Sequence, residues 1–190
     1  MITSKPRDDQ PITEQWSGLA VASKLFRRWL DDVTEALSDK QRAFLYVSGN
    51  TTPTTVSATQ TYYPVTAASS ELSDPSGNPF NRFFSASNSR ITALASIKPG
   101  WFMVTVSACL SIDATNQETR LRIGKNGSAL PESCAQDSVT GNPGSGRRES
   151  LGTHTMVWIE PGDYLEVFVG EWTATEDILV RNMQFSVTPA

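Results

Sequence analysis

Few side chains in this sequence are equipped to start a reaction. His154 is the only histidine in 190 residues, so it is the one histidine available as a base near neutral pH. It opens the run "HTMVWIE", where it alternates with Met156 and Trp158, and it reads as a structural histidine. The serine of "GNPGSG" lies in a glycine-rich loop without the strand-to-helix elbow that exposes a nucleophile. The same stretch, residues 141–146, is not followed by Lys-Ser/Thr or a helix, so it is no phosphate loop. Acids for glycoside cleavage would have to come from Asp113, Glu118, Glu160, Asp163, Glu166, Glu171, Glu176 and Asp177. Most of these fall at corners or at alternating strand positions, where a solvated carboxylate is the default, and Asp163 after Pro-Gly reads as turn chemistry. No catalytic apparatus is recognisable, and the expectation is a protein that is not an enzyme.

Metal and thiol chemistry are equally sparse. The two cysteines, Cys109 and Cys134, form no C-x-x-C and have one histidine for company, so no zinc set exists. Cys109 sits in an apolar run and is expected to be buried; Cys134 sits in a loop-like stretch. Whether the two pair is left open by the sequence. Glu176 and Asp177 lack the regular spacing of a calcium loop. No cofactor is expected. The basic pair Arg147–Arg148 reads as a solvated loop. Asn50-Thr-Thr and Asn126-Gly-Ser match glycosylation sequons, which carry meaning only in an exported chain.

The totals point the same way. A formal charge of −4, with 19% charged and 38% hydrophobic residues, argues against nonspecific binding to nucleic acid or anionic lipid. No apolar run is long enough to span a bilayer. The opening "MITSKPRDDQ" carries two aspartates and no apolar core, so no export signal is expected there.

Two periods divide the chain. Across residues 11–43, Ile12, Trp16, Leu19, Phe26, Leu30, Val33 and Leu37 recur at intervals of three and four, interrupted at Ser23. Ala22, Leu25 and Trp29 widen the stripe. This predicts an amphipathic helix with Thr13 as its cap. Such a helix suits docking on its own domain or on a neighbour, with Trp16, Leu19, Phe26, Trp29, Leu30 and Val33 as anchors. A three-stranded coiled coil is a second arrangement, since Leu19, Phe26 and Val33 keep a seven-residue spacing. A membrane-surface helix is disfavoured by the acids that follow "KLFRRWL".

From residue 44 onward the period is two. Strands are predicted at 44–48, 59–66, 90–97, 101–112, 119–127, 154–160, 164–172 and 177–187, separated by turn-forming stretches such as "DPSGNP", "KNGS" and "PGD". With no helical segment between strands, the expectation is a mainly β antiparallel sandwich, a jelly roll, over residues 44–190 with an N-terminal arm and helix over 1–43. Pro-Gly occurs twice, at Pro99–Gly100 and Pro161–Gly162, each time after an isoleucine and one charged residue and before a long strand. Both are predicted to be type II turns. Adjacent rings, Tyr62–Tyr63, Phe83–Phe84 and Trp101–Phe102, place one aromatic on each face of a strand. Outward rings among Tyr62, Tyr63, Trp101, Trp158 and Trp172 would form a subunit interface or a sugar platform.

The order "SRITALASIKPGWFMVTVSACL", "RLRIGKNGSAL", "LGTHTMVWIEPGDYLEVFV", "DILVRNMQFSV" resembles TNF/C1q-like jelly rolls over about residues 80–188. The matching positions are Gly100–Trp101–Phe102, Asn126–Gly127, Gly162–Asp163 and Phe185. The resemblance implies a two-sheet sandwich that forms a homotrimer with its aromatic inner sheet around the threefold axis. "NMQFSV" departs from the Phe-x-Gly pattern of animal members, and no collagen-like stalk is present, so cytokine and complement roles are not expected. Similar domains occur in bacteriophage virion proteins. The function implied is a capsid decoration (cement) or head-fibre protein of a virion, assembled in the host cytoplasm and anchored on major capsid or tail proteins. The alternative is a tail appendage or a receptor-binding, carbohydrate-binding module with a host glycan as ligand.

Overall fold

The computed structural model describes residues 26, 28, 29, 41–67, 71–72, 83–87, 89–114, 116–139 and 149–190. Contacts divide the chain into two compact units, Met1–Gln41 and Arg42–Ala190. In the first, Phe26, Arg28 and Trp29 have helical backbone, and the Phe26 and Trp29 rings stack 5.8 Å apart at 27°. Of the other expected anchors, Trp16, Leu19, Leu30 and Val33 lie outside the described residues.

The second unit is an antiparallel sandwich of two sheets. In chain order its strands are β1 (Ala43–Val47), β2 (Tyr63–Pro64), β3 (Glu71–Leu72), β4 (Phe84–Ser87), β5 (Arg90–Ala93) and β6 (Gly100–Ser111). They continue with β7 (Gln117–Lys125), β8 (Ser128–Ala129), β9 (Ala135–Val139), β10 (Glu149–Ile159), β11 (Tyr164–Glu171) and β12 (Leu179–Pro189). A five-stranded sheet runs β10-β6-β12-β1-β3. A seven-stranded sheet runs β4-β5-β11-β7-β8, with β2 on β11 and β9 on β7. The chain's first and last strands, β1 and β12, pair in the same sheet, Leu45 opposite Phe185. Strands consecutive in sequence are thus repeatedly split between sheets, which is the jelly-roll plan.

Alternation decides which side chains fill the space between the sheets. Leu45 and Val47, Phe102 to Leu110 at every second position, Leu121 and Ile123, Val167 and Val169, and Met183, Phe185 and Val187 are all buried. One face of each strand thus supplies the core. Asn50 closes one gap between strands. Its Nδ2 donates to the carbonyls of Thr52, Thr66 and Val180, each at 3.0 Å, and its Oδ1 accepts from the Thr52 amide. Gly124 meets a different need: a Cβ there would run into the Phe168 ring, so only glycine lets that ring cover β7.

Three expectations are corrected. The two Pro-Gly pairs are not the same device. Gly162 has φ +88° and the Asp163 amide bonds the Glu160 carbonyl, as a type II turn requires. Gly100 is instead the first residue of β6, opposite Ile159. Its corner is made earlier, where the Ile97 amide bonds the Leu94 carbonyl. The strands expected at 59–66 and 90–97 shrink to Tyr63–Pro64 and Arg90–Ala93, because β2 and β5 share one edge of β11 end to end. Cys109 is not buried in the core. It takes the outward parity of β6, is half-buried, and is a free thiol, as is Cys134.

Candidate association face

The outer surfaces of the two sheets have opposite chemistry. On the seven-stranded sheet, outward positions of β5, β7 and β11 carry paired charges. Arg90 bonds Glu166 at 3.0 Å and lies over the Tyr164 ring. Arg120 pairs with Glu118 at 2.6 Å and lies over Trp172. Arg122 lies over Tyr62. This is a surface finished by its own ion pairs and cation–π contacts.

The five-stranded sheet presents the reverse. Its register sets Trp158 beside Trp101, Met156 beside Met103, His154 beside Thr105, and Gly152 beside Ser107. Across the next ladder, Thr188 meets Met103, Ser186 meets Thr105, Gln184 meets Ser107 and Asn182 meets Cys109. Tyr46 then meets Gln184 and Phe44 meets Ser186. Not one of these outward side chains is Asp, Glu, Lys or Arg. The β1–β3 ladder adds Glu71 opposite Tyr46 at the sheet edge, and Glu160 follows Trp158 at the end of β10. Solvent-facing surface ordinarily carries about 25–35% charged residues, so the uncharged centre of this face is unusual for a surface left in water.

Its apolar content says the same. Among the described residues, the exposed large hydrophobics of this unit are Tyr46 (52%), Trp101 (55%), Met156 (41%) and Trp158 (41%). All four are on this one face. Trp101 and Trp158 meet edge to face, with centroids 5.8 Å apart and planes at 76°. Trp158 Nε1 donates to Glu160 Oε1, and Lys125 Nζ donates to the Trp158 carbonyl, so the rings are oriented from below. If the four side chains each lose about 100 Å² on association, the gross gain is about 10 kcal/mol per copy. Association itself costs about 4–15 kcal/mol, so these four need the rest of the face with them.

The sequence-level aromatic set therefore divides. Trp101 and Trp158 belong to the association face. Tyr62 and Trp172 lie on the other sheet, 4.9 Å apart, each with a guanidinium over one ring face. Tyr62 also shares a hydrogen bond with Cys134 Sγ at 3.5 Å. Burial, that bond and the nearby thiol push its phenol up to about 12. Tyr63 is half-buried against the core and bonds Ser57 Oγ. Phe44, Tyr46, Met103 and Met156 were not singled out in the sequence, although the uncharged alternation Trp101, Met103, Thr105, Ser107, Cys109 was there to be read.

The acids are accounted for in part. Asp163 ties the Pro161–Gly162 corner together: it accepts from Lys125, Asn126 and the Glu160 amide at 2.7–2.8 Å. Burial pushes its carboxyl up, and those hydrogen bonds more than reverse this, leaving it below the usual value. Glu171, fully buried, is pushed up by desolvation, only partly offset by the Thr173 and Ala174 amides on Oε1. Among the described residues no group of three or more His, Cys, Asp or Glu could hold a metal ion. None of their helices is long and apolar enough to cross a membrane.

Fold and face together define a jelly-roll sandwich with one outer sheet rich in ion pairs and cation–π contacts and one outer sheet that is aromatic and uncharged at its centre. No family model matches the chain, and no curated protein matches it. Among solved structures, murine APRIL at pH 5.0 is similar over 77% of this chain and 98% of its own, at 12% identity and a TM-score of 0.47. Eiger TNF from S. frugiperda is similar over 80% of this chain and 93% of its own, at 14% identity and a TM-score of 0.45. Murine APRIL at pH 8.0 covers 77% and 98%, at 10% identity and a TM-score of 0.45.

Proposed function

We propose that this chain is a non-enzymatic structural subunit that assembles as a homotrimer through the outer face of its five-stranded sheet. The observation that carries the reading is the concentration of Tyr46, Trp101, Met156 and Trp158 on one face whose paired positions on β6, β10 and β12 carry no formal charge, with Glu71 opposite Tyr46 and Glu160 on Trp158 at its margins. A second copy of the same chain is the occupant that fits, because the apolar and uncharged polar centre of this face can meet a copy of itself without charge matching. The placement of Asp163, Glu166 and Glu118 in ion pairs supports a scaffold over a catalyst.

The biological setting we propose is a virus particle, with the trimer as a capsid decoration or head-fibre protein built in the host cytoplasm. The sequence supports this reading through its ordered resemblance to TNF/C1q-like jelly rolls, a domain type that also occurs in bacteriophage virion proteins, and through the amphipathic pattern of residues 11–43, an arm suited to docking on a capsid or tail protein. Three arms per trimer would raise avidity well above that of one.

Incorporation tests this setting. Phe26→Asp and Leu30→Asp chains, expressed alongside the parent particle, are expected to be absent from purified particles while melting as the wild type does. Wild-type levels of both variants in the particle would overturn the anchoring role.

A further inference from the structure

The β4–β5 hairpin turns more tightly than its sequence favours. Ser87 pairs with Arg90, which leaves two residues for the loop. The second of them, Ser89, has φ +64°, a left-handed backbone where glycine is preferred. A serine there costs conformational free energy, and this one is costly a second time. It is 2% exposed and its hydroxyl has no hydrogen-bond partner among the described residues. A buried hydroxyl without a partner asks for an explanation, and an unoccupied ligand position supplies one.

Ser89 lines a cleft of about 330 Å³ on the outer side of the seven-stranded sheet, at the lower end of the size of small-molecule sites, about 300–1,000 Å³. Arg90 and Glu166 line it with Ser89, and residues 64–67 form the other wall. Glu166 is 5% exposed, and its Oε2 accepts from Arg90. Its other carboxylate oxygen has no protein donor among the described residues and remains an acceptor. Arg90 is held in place by Glu166 and by the Tyr164 ring, 3.9 Å below its guanidinium carbon, and keeps further N–H donors. Pro64, Thr66 and Ala67 line it as well, while the Val65 side chain belongs to the core.

The charges decide the ligand class. Arg90 and Glu166 neutralise each other, and among the described residues no other charged one lines the cleft, so an anion gains nothing over a neutral molecule there. What remains is an acceptor, a donor fork and a hydroxyl that does both, in a cleft that Pro64 and Ala67 also line. A neutral ring with adjacent hydroxyls on one side and C–H groups on the other matches that pattern. We propose that Ser89, Arg90 and Glu166 form a binding site for one neutral sugar unit of a glycan. The site lies on the sheet opposite the association face, so assembly leaves it open. It does not depend on the number of subunits.

Saturation-transfer NMR on the full chain tests the site. The probes are methyl α-mannoside, methyl β-galactoside, methyl β-glucoside and N-acetylglucosamine, with glucuronate and inorganic phosphate as anionic comparators. At least one neutral sugar is expected to bind, with a dissociation constant on the order of 1 mM for so small a ligand. Ser89→Gly relieves the backbone while deleting the hydroxyl, so it is expected to melt no lower than wild type yet bind at least about five-fold more weakly. Glu166→Gln, which removes the paired charge, is expected to weaken binding further. Silence from every neutral sugar, a stronger signal from the anions, or unchanged binding in both variants would overturn the proposal. Light scattering on the same samples keeps the outcome separate from the assembly reading, since subunit number is expected to be the same in all three proteins.

Discussion

Trp101 and Trp158 face each other across the β6–β10 ladder, rings edge to face at 5.8 Å, and both are exposed. A T-shaped pair of this kind is an ordinary core arrangement; its position on an outer surface is not. The pair lies at one end of a face that continues through Met103 and Met156 to Phe44 and Tyr46, with charge only at its margins, Glu160 beside Trp158 and Glu71 opposite Tyr46. A face of that composition, opposite a sheet rich in ion pairs, is what the proposed assembly rests on.

Thiol reactivity reports on that face. Cys134 is exposed and Cys109 lies outward on β6, opposite Asn182. Iodoacetamide is expected to modify Cys134 first and Cys109 slowly, and Trp101→Asp is expected to speed Cys109 at least about ten-fold by opening the interface. Mass spectrometry of peptides over time measures both rates. Equal Cys109 rates in the two proteins would contradict its place in the interface.

Asn50 carries a stability prediction. Replacing it with leucine keeps the volume but strands the carbonyls of Thr52, Thr66 and Val180 that its amide serves. The expected cost is about 2–4 kcal/mol, read from urea unfolding at fixed protein concentration. A loss under about 0.5 kcal/mol would show that water replaces the amide freely.

Two carboxyls give opposite pH signs. The folded Asp163 carboxyl is held below its unfolded value, so its contribution is present above the ordinary aspartate range and is lost as pH falls through the folded value. The Glu171 carboxyl is raised by burial, so the native state holds its proton longer and stability falls as pH rises out of the ordinary glutamate range. Asp163→Asn is therefore expected to flatten the acid limb of the stability curve. Glu171→Gln is expected to flatten the fall toward neutrality. Urea midpoints between pH 2 and pH 7 separate the two, and unchanged curves in either variant would refute that assignment.

The long strands were legible because sustained alternation has one reading: β6, β11 and β12 lie within two residues of where the sequence places them, while β10, expected at 154–160, begins five residues earlier, at Glu149. Which face of each points inward was not, because Trp101 and Phe102 are both apolar and parity alone does not choose between them. Only pairing with β10 and β12 shows that Trp101 is outside. The Pro99–Gly100 corner misled for a related reason, since β-sheet pairing with Ile159 overrode a local turn preference. Asn50 looked like a bare sequon, and its role depends on Val180, far along the chain. Ser89, Arg90 and Glu166 gave no sequence signal as a group, because Glu166 joins the other two only when β11 pairs with β5.

Absolute mass in solution tests the central claim most directly. Light scattering on the full chain is expected to give three times the 20.8 kDa chain mass, and Trp101→Asp, which buries a charge in the face, is expected to shift it toward the monomer. A monomeric wild type, or a trimer indifferent to Trp101→Asp, would contradict assembly through this sheet.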